Sequence, residues 1–204
     1  MNLLTFFEDD TIMAAMTLRD CTAPLCGSMA LHTGDEAGAV MENRRRLSEE
    51  TLPLSRWCCA MQTHSANAYA VTAEDAGRGA LTIDDAIPAC DALYTRERGV
   101  LIGVFTADCV PLLLHDPHSG IIAAIHTGWP GTVKQITHHT VSRLIEREGL
   151  DARTVQVWIG PCIHQPSFQI REDVIAQIRA LPFDTSPYLH MQADGSALAD
   201  NVGH

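Results

Sequence analysis

Residues 101–132, LIGVFTADCVPLLLHDPHSGIIAAIHTGWPGT, constrain the fold of this chain more than any other stretch. They hold three short apolar runs, at 101–105, 110–114 and 121–125, each stopped by turn-forming residues. Runs of this length and bounding read as buried strands. Asp116-Pro117 and then Ser119-Gly120 read as the turn that joins the second run to the third. A hairpin brings its two outer ends to one sheet edge, so Cys109 and His126 are expected side by side. The connections between these runs are shorter than the dozen or so residues that a parallel crossover needs. The sheet is therefore expected to be mixed, with antiparallel neighbours around residues 100–126.

The rest of the chain interleaves strands with helices, which is an α/β (α+β) pattern over a single domain, 1–204. A strand is expected within 11–20 and a short one at 28–31. Asp35-Glu36-Ala37 opens a helix with acids in its first turn, and Val40, Met41, Arg44 and Leu47 follow at helical spacing. Asn43-Arg44-Arg45-Arg46 is the only basic cluster and reads as a solvated helix face or an anion site. Residues 57–60 and 66–71 read as strands separated by a polar break at His64. The spacing predicts one helix over 132–149, with Val133, Ile136, Thr140, Val141, Leu144 and Ile145 as its apolar stripe and Gly149 as its stop. A strand at 155–159, an extended piece at 168–170 and a helix at 172–181 complete the pattern. His138 and His139 are adjacent on or beside the polar side of the 132–149 helix, and His115 and His118 read as polar residues of the hairpin turn.

The net charge of −11 and pI near 5.2 argue against a nucleic-acid or anionic-membrane partner, since either needs a basic face. No apolar run approaches the roughly 18 residues that span a bilayer. The opening MNLLTFFEDDTIM has no basic region typical of a signal peptide, so a cytoplasmic protein is expected. Seven cysteines without a C-x-x-C pair read mostly as small buried hydrophobes in a reducing compartment.

His64, Cys109 and His126 stand out because each ends or follows an apolar strand. Two imidazoles and a thiolate suit Zn²⁺, and three protein ligands leave a fourth position open, as catalytic zinc sites do. Such an ion lowers the pKa of a bound water to about 7. A competing reading is a metal-free pair, with Cys109 as nucleophile, His126 as its base, and the Gly128 or Gly131 amide near an oxyanion. A third is a buried small thiol beside two ordinary polar histidines.

The segments GDEAGAVMENRRRL, QTHS, FTADCVPLLLHDP, AAIHTGW and GPCIHQPSFQI, between about residues 23 and 175, together resemble the multicopper polyphenol oxidase (laccase-domain), or YfiH, family. The resemblance implies a fold of mixed β-sheets in an α/β/β/α layered arrangement. It also implies a zinc-dependent purine nucleoside phosphorylase that deaminates adenosine, acting on purine nucleoside and phosphate as a monomer or homodimer. The family's zinc ligands fall on His64, Cys109 and His126. Asp108 and Gln62 are expected to orient the imidazoles, with Gln62 near substrate, and Arg44 to contact phosphate. Copper is the weaker alternative, because a multicopper oxidase needs many histidine ligands. Distant similarity of the family to a Cys–His toxin deamidase keeps a metal-independent hydrolase or amidase as the alternative. Two features depart from the family pattern. Pro130 stands where relatives carry Arg, and the chain stops at His204 where they usually continue for about another helix, of which residues 198–201 resemble the start. A shortened zinc-binding homologue with little turnover is the corresponding third reading.

Overall fold

The structure, a computed structural model, describes residues 2–202. In chain order the strands are β1 (Leu3–Glu8), β2 (Met13–Thr17), β3 (Trp57–Cys59), β4 (Ala68–Ala70), β5 (Ala92–Thr95), β6 (Leu101–Gly103), β7 (Val110–Asp116), β8 (Ile121–Thr127), β9 (Gln156–Ile159), β10 (Gln169–Ile170), β11 (Leu189–Met191) and β12 (Ala197–Ala199). The helices are α1 (Ala37–Glu50), α2 (Trp129–Val133), α3 (Ile136–Glu148) and α4 (Glu172–Arg179).

The main sheet has five strands in the order β4-β5-β8-β7-β9, with β4 and β5 parallel and the other neighbours antiparallel. The expected hairpin forms, with Val110 opposite Thr127 and Pro111 opposite His126. The first apolar run departs from expectation. Rather than joining its neighbour, β6 pairs in parallel with β3 as a separate two-stranded sheet.

Three apolar clusters stack these parts. On one face of the main sheet, Tyr94, Leu114, Ile121 and Ile125 pack against Ile136 and Leu144 of α3. Leu93, on the opposite face, packs with Cys58, Ile87 and Val100. The far side of β3 and β6 carries Trp57, Cys59 and Leu101 and meets Leu47 of α1. The succession is α3, five-stranded sheet, two-stranded sheet, α1, which is the expected α/β/β/α order. Burying a side chain such as Ile125 or Leu144 contributes about 2–3 kcal/mol, so α3 is held by its apolar stripe more than by helix propensity. A fourth cluster joins α4 to a small antiparallel sheet of order β10-β12-β11.

Local chemistry explains several boundaries. The Glu36 carboxylate caps α1, accepting the N–H groups of Gly38 and Ala39 at 3.0 Å each. Gly149 ends α3 in the left-handed conformation, at φ +71°. The single helix expected over 132–149 is instead two, because Gln135 adopts φ +58° between α2 and α3. No short strand forms at 28–31, where the chain makes a single helical turn at Leu31–Thr33. Residues 198–201, expected to begin a helix, contribute instead to β12, whose Leu198 is bracketed by Gln169 and His190.

Candidate metal centre

The antiparallel register of β5 and β8 builds the centre. Ala92 lies opposite Ile125, so the preceding Asp91 falls beside His126, whose N–H donates to the Asp91 carbonyl at 2.8 Å. The same adjacency brings Asp91 Oδ1 to 2.8 Å from His126 Nδ1. With Nδ1 committed to Asp91, Nε2 is the ring atom that buried His126 has left to offer an ion. Cys109 immediately precedes β7 and sits across the hairpin from His126.

His64 arrives from the loop between β3 and β4. It holds the left-handed conformation, φ +55°, which a non-glycine residue adopts only when its surroundings enforce it. The enforcing group is Asp91. Its carboxylate accepts the successive N–H groups of Thr63, His64 and Ser65 at 3.1, 3.1 and 2.7 Å, and the Ser65 hydroxyl at 2.7 Å. Burial pushes the Asp91 carboxyl up, but the hydrogen bonds from His126, Ser65 and Thr63 outweigh it and hold the group well below the usual carboxylate range.

The ligand atoms of His64, Cys109 and His126 all lie within 4.8 Å of one another. Cys109 Sγ is 3.8 Å from His64 Nε2, and the two imidazole centroids are 4.8 Å apart. Among the described residues, no other group of three or more such side chains is close enough to share an ion. Burial, then the neighbouring His126, lowers the His64 pKa, which keeps a lone pair available. Burial and Asp108 push the Cys109 thiol up to about 11, so without a cation it is a protonated thiol. Gly128 completes the cradle. A Cβ there would lie 2.6 Å from His64 Cδ2 and 2.9 Å from Cys109 Sγ. Convergent N, S and N donors, a backbone stripped of side chain beside them, and a carboxylate behind one imidazole fit a borderline-soft metal ion such as zinc.

The other expected site residues fall differently. Asp108 is exposed, with Oδ1 3.8 Å from Cys109 Sγ, so it borders the thiol rather than orienting an imidazole. The Gln62 side chain is buried and both its amide atoms are spent on Phe105: Nε2 donates to the carbonyl at 2.8 Å and Oε1 accepts the N–H at 2.7 Å. It clamps the chain ahead of Cys109 and neither orients a histidine nor is free for substrate.

Arg44 corrects the expectation most sharply. It is only 1% exposed, its Nε and Nη1 donate to the carbonyls of Met29, Gly79 and Ala80 at 2.6–2.8 Å, and its guanidinium lies 5.0 Å from the Phe105 ring centroid. An arginine walled in this way ties α1 to the loop at 79–80 and does not reach a phosphate. Asn43 is likewise buried, so only the later part of the basic cluster is solvated. His115, His118, His138 and His139 stand outside the ligand group, His115 within β7 rather than in the turn.

Three contributors had no place in the sequence reading. Asp91 was an acid abutting an apolar run, which is the signal that could have found it. Lys134, placed by the break before α3, donates from Nζ to the His64 carbonyl at 2.6 Å. Asn201 bridges Thr127 and Thr132, donating to the Thr127 carbonyl at 3.1 Å and accepting from Thr132 Oγ1 at 2.9 Å. Pro130 occupies the first turn of α2, where a missing N–H removes no helical hydrogen bond.

The family described as multi-copper polyphenol oxidoreductase laccase matches residues 25–201. The chain belongs to this family. Among its laccase-domain relatives is the purine nucleoside phosphorylase YlmD of Geobacillus stearothermophilus, 39% identical over 153 residues, which cover 74% of this chain and 56% of the relative. The adenosine deaminase RL5, from an unknown prokaryotic organism, is 35% identical over 157 residues, covering 75% of this chain and 57% of the relative. The chain therefore spans little more than half the length of these relatives. The crystal structure of the Geobacillus YlmD aligns over 97% of this chain and 71% of its own, with a TM-score of 0.81 at 33% identity. The laccase-domain fold is thus shared across nearly the whole chain.

Proposed function

We propose that the chain is a zinc-dependent purine nucleoside phosphorylase that also deaminates adenosine. The observation that carries this reading is the convergence of His64, Cys109 and His126 within 4.8 Å, backed by the Asp91 carboxylate. The names of the relatives supply the substrate class: one is a purine nucleoside phosphorylase and another an adenosine deaminase.

Zinc held by these three side chains supplies a Lewis acid with an open position, able to polarise an oxygen of phosphate or substrate. Everything else is done by the protein. Asp91 fixes the tautomer of His126 and shapes the loop that presents His64. Lys134 anchors that loop from the other side. Gly128 leaves the ligands room to meet. Asp108 places an exposed carboxylate next to Cys109, where it positions reactants and exchanges protons. In phosphorolysis a phosphate oxygen bonds to C1′ of the nucleoside and the glycosidic C–N bond breaks. Its electron pair goes to the purine nitrogen, which is then protonated, and ribose 1-phosphate leaves with the free base.

The metal-independent hydrolase finds some support in the Asp91–His126 pair, which would suit a Cys–His–Asp array. The thiol argues against it, since nucleophilic cysteines have lowered pKa values and Cys109 is pushed up to about 11. The test is direct. Protein purified without added metal is expected to carry about one zinc per chain, as a single three-ligand site holds. With phosphate present it should release hypoxanthine from inosine, and Cys109→Ala should lose both zinc and release. Full activity in Cys109→Ala, or in chelator-stripped protein, sinks the zinc reading.

A further inference from the structure

The seven cysteines do not share one environment. Cys58, Cys59 and Cys90 are buried, and burial pushes the first up to about 12 and the other two up to about 11. They are inert core thiols of the expected kind. Cys21 is exposed and Cys26 half-buried, and they stand at the two ends of the segment Cys21-Thr22-Ala23-Pro24-Leu25-Cys26. Their sulfurs are in hydrogen-bond contact, and the Arg19 guanidinium reaches both, with Nη2 4.0 Å from Cys26 Sγ. The Cys21 thiol, then Arg19, lower the Cys26 pKa, the reverse of what burial does to the core thiols.

The backbone holds the pair in this arrangement. The Asp20 N–H donates to the Cys26 carbonyl at 3.1 Å and closes the loop. Inside it the Ala23 N–H donates to the Asp20 carbonyl at 3.0 Å, and the Cys26 N–H to the Ala23 carbonyl at 3.1 Å. Leu25 and Cys26 both take the left-handed conformation, at φ +49° and +51°. Such residues cost about 1–3 kcal/mol each and persist only where their surroundings impose them. Buried Asn43 of α1 is the imposing group: its Nδ2 donates to the carbonyls of Pro24 and Ser28, on either side of the pair, at 2.8 and 3.0 Å. Arg19 and Cys26 also line a cleft of about 1300 Å³, which gives small solutes access to the sulfur. A thiol of lowered pKa, open to solvent and beside a second cysteine, has the surroundings of an oxidant-sensitive thiol with its resolving partner.

We propose that Cys26 and Cys21 form a redox modification site, at which a hydroperoxide oxidises Cys26 and Cys21 then closes a reversible disulfide. The site is independent of the nucleoside reading above. In the first step the Cys26 thiolate attacks one oxygen of hydrogen peroxide. The S–O bond forms, the O–O bond breaks, and the second oxygen leaves as hydroxide, which takes up the proton that Cys26 lost on ionising. In the second step the Cys21 sulfur attacks the Cys26 sulfur. The S–S bond forms, the S–O bond breaks, and the departing hydroxide leaves as water with the proton of Cys21. Two thiols and one peroxide become one disulfide and two waters, the sulfurs losing the two electrons that reduce the O–O bond. A dithiol reductant reverses the change by thiol–disulfide exchange.

The test treats the whole chain, reduced and freed of reductant, with one equivalent of hydrogen peroxide, blocks the remaining thiols with iodoacetamide and maps the tryptic peptides. Both cysteines fall in one peptide, residues 20–44, bounded by Arg19 and Arg44. That peptide should be lighter by two hydrogens and unalkylated, and should regain both alkylation sites after dithiothreitol. In Cys21→Ser the reaction should stop at a Cys26 sulfenic acid, trapped by dimedone. Arg19→Gln should slow disulfide formation about threefold, because the thiolate fraction falls by more than its nucleophilicity rises. A wild-type peptide 20–44 that stays reduced at this dose overturns the assignment whatever the variants do. Absence of a dimedone adduct on Cys26 in Cys21→Ser, or an unchanged rate in Arg19→Gln, overturns it as well.

Discussion

The Asp91 carboxylate lies 2.8 Å from His126 Nδ1 and, with the same two oxygens, accepts the backbone N–H groups on both sides of His64 and that of His64 itself. One buried acid therefore orients one imidazole and shapes the loop of another. Removing its charge should cost metal before it costs fold. Asp91→Asn is expected to weaken zinc binding by about 10- to 100-fold, the usual effect of losing a carboxylate behind a ligating histidine. Competition against a chromophoric chelator measures this, and an unchanged zinc affinity would show that His126 does not depend on Asp91.

Gly128 makes a sharper steric case. A single methyl group there would lie 2.6 Å from His64 Cδ2 and 2.9 Å from Cys109 Sγ, inside van der Waals contact with two ligands. Gly128→Ala should fold, because the glycine has φ −73° and needs no left-handed freedom, but should purify with little metal. Metal content alongside circular dichroism separates these outcomes. A variant with full zinc content would mean that the ligands meet elsewhere.

Arg44 is expected to act on stability and not on phosphate. Its replacement by Ala leaves the buried carbonyls of Met29, Gly79 and Ala80 without a donor, at a cost of about 3 kcal/mol or more. Chemical denaturation should show the loss. A stable Arg44→Ala whose KM for phosphate rises would restore the anion-site reading of this residue.

The hairpin turn has its own acid-sensitive lock. Asp116 accepts hydrogen bonds from Ser119, Thr154 and the N–H groups of His118 and Asp151. Burial raises its pKa, but these bonds outweigh burial and hold it well below 3.8. The folded chain thus binds this proton less readily than the unfolded chain, so the stabilisation is complete above about pH 4–5 and is lost as the pH falls through the lowered value. Asp116→Asn should be less stable at pH 7 and should show a shallower decline in stability between pH 5 and 3. Equal slopes for wild type and variant in denaturant titrations across that range would exclude the role.

The local pattern of residues 101–132 was enough to place the hairpin, because alternating apolar runs and turn residues act over short distances. It brought Cys109 and His126 to one edge without any knowledge of the rest of the chain. The third ligand, His64, came from a polar break between two strands and from the family resemblance. The helix over 132–149 was half legible. Ile136, Thr140, Val141 and Leu144 of its expected stripe do pack inward, but Val133 falls in α2, Ile145 is exposed, and nothing at Lys134-Gln135 signals the break between the two helices.

What the sequence determined by itself was the strands between residues 57 and 159, the donor types and their place at strand ends, since these follow from periodicity and side-chain chemistry. Only the tertiary structure decided the partners. The family resemblance, added to its charge, made Arg44 look like a phosphate contact, yet burial turned all its described bonds inward to carbonyls. An unremarked acid before β5 became the group on which two ligands depend, because the pairing of β5 with β8 puts Asp91 against His126. Whether a polar side chain serves chemistry or structure depends on which backbone groups lie within 3 Å of it, and those groups are contributed by segments far apart in the chain.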